Sequence, residues 1–276
     1  MLSTLIIVFR EVLEAGMIVG IVAAVTKGIE GNARWIALGL GGGLLGSLVV
    51  AAFVGKIAQA FAGSGQELFN ATILLVAVVM LAWHNVWMAR HGREMAAQLM
   101  GKGQAVAAGE APLWGLAVVI AVAIWREGSE VVLFLYGVSI AEGGPSWLML
   151  AGGLCGLALG AAVSMLTYAG LVRIPARHLF AVTGALITFL AAGMAAQAIA
   201  FLQQGGIVKA LRQTVWNTSR VLPDSSALGR VLHTLIGYTD RPSALQLIVY
   251  LATLAAIFLA MRWLAPKPQP VRIAQS

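Results

Sequence analysis

Long apolar runs separated by short polar connectors dominate this chain. A helix that crosses a bilayer needs about 20 predominantly apolar residues at 1.5 Å rise per residue. Five uncharged runs meet that length: Trp35–Gly55, Leu68–Ala89, Gly143–Val172, Leu179–Val208 and Pro242–Met261. Two further stretches, Leu2–Thr26 and Leu113–Ile140, are apolar except for a compact group of charges near the middle of each. The pattern therefore predicts an all-α integral membrane protein with about seven transmembrane helices.

The composition supports a membrane protein and disfavours several other classes. Hydrophobic residues make up 60% of the 276 positions and charged residues 11%, whereas soluble domains are about 25% charged. The single cysteine, Cys155, lies in an apolar run, which excludes a disulfide framework and a cysteine-based metal site. The formal charge of +7 comes from lysines and arginines scattered through connectors. We therefore expect the lipid bilayer, and no nucleic acid, as a partner.

The distribution of basic residues predicts an orientation, because cytoplasmic loops are enriched in lysine and arginine. With the N-terminus outside, the inner connectors and tail carry the following residues: Lys27, Arg34, Arg90, Arg93, Lys102, Arg173, Arg177, Arg262, Lys267 and Arg272. The outer side carries fewer, so we predict an N-out/C-in arrangement. The predicted single transmembrane domain, 1–265, contains an extracytoplasmic loop at about 206–243 and a last helix at about 244–264. A short cytoplasmic tail, 266–276, follows.

The two interrupted stretches contain the same motif, aromatic-Arg-Glu-x-x-Glu. It reads Phe9-Arg10-Glu11-Val12-Leu13-Glu14 in the first stretch and Trp125-Arg126-Glu127-Gly128-Ser129-Glu130 in the other. On a helix the three charges of each motif fall within about 100° of arc, and the Arg and second Glu form an i, i+4 pair. Three predicted spans belong to each copy, which indicates two inverted repeats, at about 1–90 and 112–205. Antiparallel motif helices would bring the four glutamates to one level.

The motifs predict a cation site inside the membrane. Each charge at a helix centre costs roughly 2.5–3.5 kcal/mol, so such groups persist only in a bundle interior with partners. Arginine–glutamate pairs that merely hold two helices together are one interpretation. However, two arginines cannot neutralise four glutamates, and oxygen donors suit hard cations such as Fe³⁺, Mg²⁺ or Mn²⁺. A manganese transporter and an intramembrane di-iron enzyme are alternatives, although di-iron sites usually add Glu-x-x-His motifs.

Paired Arg-Glu-x-x-Glu motifs in the first and fourth of seven helices resemble the high-affinity iron permeases of fungi and their bacterial relatives. The resemblance implies an iron importer, not an enzyme, in the bacterial cytoplasmic (inner) membrane. It implies ferric iron as the transported ion, no organic cofactor, and a periplasmic or membrane partner that oxidises or delivers iron. The residues it assigns to iron are Glu11, Glu14, Glu127 and Glu130, with Arg10 and Arg126 organising them.

Two amides distinguish the outer face from the bacterial pattern. The helix-three start reads Gln66-Glu67-Leu68-Phe69-Asn70, where those relatives often carry a second glutamate in place of Asn70. In the outer loop, Asn217 stands where an acid is common. Glu67 remains an accessory candidate for iron capture.

The histidines receive mostly structural interpretations. His84, between Trp83 and Trp87, could be a metal ligand on the exit path, but an interfacial histidine in a tryptophan belt is favoured. His233 is expected to pack a short amphipathic stretch of the outer loop. His91 and His178 are expected to be solvated in cytoplasmic connectors.

Overall fold

In the computed structural model, which describes residues 1–60, 66–170 and 176–264, the regular structure is helical, and the described residues contain only an isolated β-bridge between Thr214 and Ser243. The helices are α1 Leu2–Val25, α2 Asn32–Ala60, α3 Gln66–Ala107, α4 Trp114–Ala141, α5 Trp147–Tyr168, α6 Ala176–Gln204, α7 Ala227–Ile236 and α8 Ala244–Leu264. The tail 266–276 and three basic residues of the orientation count (Arg173, Lys267 and Arg272) lie outside the described residues.

Apolar helices long enough to cross a membrane account for most of the described chain. Five of them, α2, α3, α5, α6 and α8, contain spans of 20 to 27 residues with high mean hydropathy. Helices α1 and α4 have 24 and 28 residues, and each carries one charged motif. The fold is thus that of an all-α integral membrane protein.

The helices pack across the two predicted repeats rather than within them. The principal pairs are α1 with α5, α2 with α4, and α3 with α6. Ser3, in the first turn of α1, donates a 2.7 Å hydrogen bond to Glu142, which follows the last residue of α4. The two motif helices are therefore antiparallel. The cross-pairing is also the one that a twofold relation between the repeats would produce.

Two stripes of small residues allow this close packing. The stripes are Gly39, Gly43 and Ser47 on α2, and Gly156, Gly160 and Ser164 on α5. A Cβ added at Gly43 would lie 2.8 Å from the carbonyl oxygen of Ala121 on α4, and one added at Gly156 would lie 2.6 Å from that of Leu5 on α1. Side chains at these positions would force the helices apart. The stripes recur with the same spacing in both halves, which is a repeat signal that the sequence analysis did not use.

Helix α3 is longer than the sequence predicted. The predicted span ended at Ala89, and a connector was expected beyond it, but α3 continues to Ala107 and has 42 residues. Buried Val106 packs with Val22 of α1 and Leu116 of α4. The part of α3 beyond Ala89 was not predicted, because it is too polar to be recognised as a membrane span.

The segment between α6 and α8 is folded around α7. One ring nitrogen of His233 lies 2.7 Å from the carbonyl oxygen of Tyr238, and the Tyr238 hydroxyl donates to the Leu222 carbonyl at 2.8 Å. The backbone N–H of Asp240 donates to the Asp224 carboxylate at 2.9 Å. The prediction that His233 packs a short amphipathic stretch is confirmed.

Candidate metal site

Acidic side chains from both motifs converge where α1 and α4 face each other. Glu11 and Glu14 of α1 are each about 1% exposed, and Glu127 of α4 is 3% exposed. Glu130 is partly buried beside them. The structure thus places the predicted glutamates together in the interior, as the antiparallel motif helices required.

Four ligand atoms form the most compact group. One carboxylate oxygen from each of Glu11, Glu127 and Glu130 and one ring nitrogen of His84 lie within 4.8 Å of one another. Glu14 lies outside this group. Its Oε1 is 3.0 Å from Nη2 of Arg10, so Glu14 serves first as the counter-charge of that arginine. The group has three carboxylates and one imidazole, where the sequence analysis expected four carboxylates.

His84 enters the site from α3. Its Nε2 lies 3.3 Å from Oε2 of Glu14 and 3.7 Å from Oε2 of Glu11, and its Nδ1 contacts the carboxylate of Glu130. The interpretation of His84 as an interfacial histidine is therefore wrong. Its neighbour Trp83 is 72% exposed on the outer face of α3, whereas His84 is 4% exposed. A histidine within an otherwise uncharged membrane span is by itself a reason to expect a functional site. On that ground the sequence could have favoured His84 as a site residue.

Asn85 fixes the rotation of α3 that directs His84 inward. Its buried side-chain amide donates to the Gly184 carbonyl and to the Thr188 hydroxyl, both at 2.9 Å. Both partners belong to α6. A rotation of α3 that broke these two bonds would leave buried polar groups without hydrogen-bond partners. Because that is costly, the two bonds hold α3 in this orientation. The sequence analysis did not single out Asn85.

The two motif arginines pair with their own glutamates. Nη1 of Arg10 lies 3.5 Å from Glu11. Nε of Arg126 lies 3.5 Å from Glu127 and 3.4 Å from Glu130. These pairs leave oxygens without hydrogen bonds within the described residues, including Oε2 of Glu11 and Oε2 of Glu127. Buried carboxylate oxygens without donors are costly unless a cation or water reaches them.

Two cavities meet at this site. The first, of about 240 Å³, is lined by Met80, Trp83, His84, Trp87, Arg126 and Glu130. The second, of about 450 Å³, shares Trp87 and Arg126 with the first and includes Glu127. The Arg126 guanidinium lies 4.7 Å from the centre of the Trp87 ring. Both members of this cation–π pair line both cavities.

Glu67 is not brought to this group. It lies in the first turn of α3 with an exposed side chain. Seventeen positions separate it from His84, which is about 25 Å along a helix. His91, expected to be solvated in a connector, instead lies on α3, partly buried and stacked on Trp87 with 5.2 Å between the ring centres. His178 is exposed at the start of α6, as expected.

Comparison with known proteins assigns the chain to a family. The model of the iron permease FTR1 family matches residues 1–267. The ferrous iron permeases EfeU of Escherichia coli O157:H7 and Shigella sonnei are 31% identical over 249 residues, which cover 89% of both chains. That of Yersinia pestis is 30% identical over 253 residues, covering 89% of this chain and 87% of the relative. No solved structure matches significantly.

These relatives are named permeases, so the protein is a transporter and not an enzyme. Its apolar spans and bacterial relatives make it an integral protein of the inner membrane. The chain belongs to the iron permease FTR1 family.

Proposed function

We propose that this protein imports ferrous iron, and that the ion passes through the group formed by Glu11, His84, Glu127 and Glu130. The observation that carries the proposal is the convergence of four ligand atoms, from three helices, within 4.8 Å in the membrane interior. A buried group of this kind is costly to the fold unless a cation uses it.

The donor types favour ferrous over ferric iron. An all-carboxylate site suits the hardest cations, whereas imidazole nitrogen suits iron, copper, nickel and zinc. The presence of His84 in the group therefore moves the preference away from ferric iron and manganese. Several relatives are named ferrous iron permeases, which agrees with this choice.

Charge balance supports a divalent cargo. The four motif glutamates, if ionised, carry two more charges than Arg10 and Arg126 neutralise. With His84 neutral, a divalent cation brings the summed charge of the four glutamates, the two arginines and the ion to zero, which a low-dielectric environment favours. A site that bound a trivalent ion equally well would carry surplus positive charge.

The remaining parts of the transport scheme are proposals as well. About seven spans in N-out/C-in orientation, with two inverted repeats, would place the group near the bilayer centre at the repeat interface, as in many transporters. The antiparallel α1 and α4 and the cross-paired helices support this arrangement. Glu67 on the outer start of α3 would lie on the side of a partner that oxidises or delivers iron.

Uptake into proteoliposomes tests the function. Radiolabelled iron is supplied as ferrous iron with ascorbate or as ferric citrate, with and without excess manganese. We expect wild-type vesicles to accumulate ferrous iron despite manganese, and Glu127→Gln vesicles to accumulate none. Glu110→Gln is the matched control, because Glu110 is exposed in the connector between α3 and α4. Equal uptake by wild type and Glu127→Gln would refute the proposal, and strong competition by manganese would favour a manganese transporter.

A further inference from the structure

We propose that the second cavity contains a release station for the ion, a divalent-cation position built by His91 and Glu94 of α3. The inference deepens the proposed function, because it concerns the path that the ion takes after leaving the motif glutamates. It goes beyond the proposed function because His91 and Glu94 lie outside both motifs, on the polar continuation of α3.

The second cavity is polar where it could hold an ion. Side chains of α1, α3 and α4 line it, and its polar lining consists of His91, Glu94, Gln98, Lys102, Arg126 and Glu127. The distal half of α3, which supplies Gln98 and Lys102, packs close to the end of α1, since a Cβ added at Gly103 would lie 3.2 Å from Val25. The cavity therefore extends from the motif site toward the end of the bundle where α1 terminates.

Glu127 connects this cavity to the motif site. It contributes a ligand atom to the first group and also lines the second cavity. Its side chain is buried, and its Oε2 accepts no hydrogen bond within the described residues. An ion on Glu127 could thus be passed on without first crossing an apolar layer. Trp87 and Arg126 stand at the boundary, because they line both cavities.

His91 has the orientation of a metal ligand. Its Nδ1 lies 3.2 Å from the Trp87 carbonyl oxygen, and a carbonyl can only accept, so this contact requires the proton on Nδ1. In the neutral ring with this tautomer, the lone pair of the other nitrogen, Nε2, is available to bind a metal. Histidines that ligate metals usually donate their second ring N–H to a carbonyl or carboxylate in this manner.

Glu94 supplies the second donor. It lies three positions after His91 on the same helix face and lines the same cavity. Exposed glutamates on a helix are usually only solvated, and Glu94 is exposed. Here it follows the anchored His91 by three positions, in a cavity that Glu127 also lines. Ten positions beyond His84, it is about 15 Å further along α3, toward the end of the bundle where α1 terminates.

Metal binding and transport, measured separately, test this inference. Purified protein in detergent is titrated with Co²⁺ as a spectroscopic probe, and ferrous iron uptake is measured in proteoliposomes. We expect wild type to bind Co²⁺ at a tight and a weaker position. Glu94→Gln and His91→Ala should lose the weaker position, retain the tight one, and take up iron roughly tenfold more slowly. Glu110→Gln should match wild type in both measurements.

The outcomes separate the two proposals. If Glu94→Gln and His91→Ala bind two ions and transport at the wild-type rate while Glu127→Gln is inactive, the release station is refuted and the iron permease stands. If Glu127→Gln transports as wild type does, the motif site is refuted, whatever the α3 variants do. Circular dichroism of each variant checks that a loss of Co²⁺ binding or of iron uptake does not result from unfolding.

Discussion

Arg10 and Arg126 occupy the same place in the two motifs but lie in opposite environments. The Arg10 side chain is 2% exposed and its guanidinium is held between Glu11 and Glu14, whereas the Arg126 side chain is 35% exposed. Arg126 lies over the Trp87 ring and lines both cavities. The two motifs are thus alike in sequence, but their arginines differ in burial and in contacts. Arg10 is a buried counter-charge for Glu11 and Glu14, and Arg126 borders the two cavities.

Removal of Arg10 is expected to damage stability far more than removal of Arg126. Arg10→Gln leaves buried carboxylates without their counter-charge, which costs about 3–5 kcal/mol. Arg126→Gln removes partly exposed pairs and a cation–π contact, at a cost of about 1 kcal/mol. Thermal unfolding of both variants in the same detergent measures the difference. Equal shifts would contradict the assignment of a structural role to Arg10 alone.

Substitution of His84 is expected to weaken iron binding without unfolding the protein. His84→Gln removes the imidazole nitrogen of the group, and we expect the iron concentration for half-maximal uptake to rise roughly 10–100-fold. Uptake rate as a function of ferrous iron concentration measures this. His178→Gln is the matched control, because His178 is exposed at the start of α6. An unchanged concentration dependence would remove His84 from the site.

The sequence predicted the membrane helices and the meeting of the two motifs, because apolar length and buried charge are local signals. The sequence offered His84 as a possible metal ligand but favoured an interfacial position, since the direction of its side chain depends on Asn85 and its two partners on α6. The sequence pattern of α3 alone does not indicate which of its faces packs against the other helices. The length of α3 was missed for a related reason. Its distal half is stabilised by burial of Val106 against α1 and α4, and hydropathy alone does not register such packing.

The segment around α7, between α6 and α8, is expected to lose stability as the pH rises above the ordinary range of carboxyl pKa values. Burial, together with the neighbouring carboxylate of Asp240, raises the pKa of Asp224 above its ordinary value of 3.8. The folded form therefore holds the proton to higher pH than the unfolded form. The stability that this proton contributes to the folded segment is complete below the ordinary pKa of the unfolded form. It falls as the pH rises through the raised pKa of the folded form.

Asp224→Asn should remove this pH dependence. The amide carries no charge at any pH in this range, and its carbonyl can still accept from the Asp240 N–H, which donates to Asp224 at 2.9 Å. Hydrogen exchange of the Asp240 amide, corrected for its intrinsic rate, should then vary with pH above about 4 in wild type and not in the variant. The same slope in both proteins would show that another group is responsible.

The small-residue stripes give the most direct test of the packing. A Cβ at Gly43 would lie 2.5 Å from Cβ of Ile124 and 2.8 Å from the carbonyl oxygen of Ala121, so Gly43→Ala must move α2 away from α4. We expect a loss of about 1–3 kcal/mol in the free energy of unfolding. Gly41 is the matched control, since an added Cβ would find no atom within 4 Å.

Gly41→Ala should be neutral or stabilising by up to about 1 kcal/mol, because alanine is the better helix former. Denaturant unfolding of both variants in one detergent separates the two effects, since the intrinsic helix propensity changes equally in each. Only a difference between them reports the contact of α2 with α4. If both variants unfold at the same denaturant concentration, the two helices do not pack through Gly43. The recurrence of the stripe on α5 would then be a coincidence of composition rather than a sign of equivalent helix pairs.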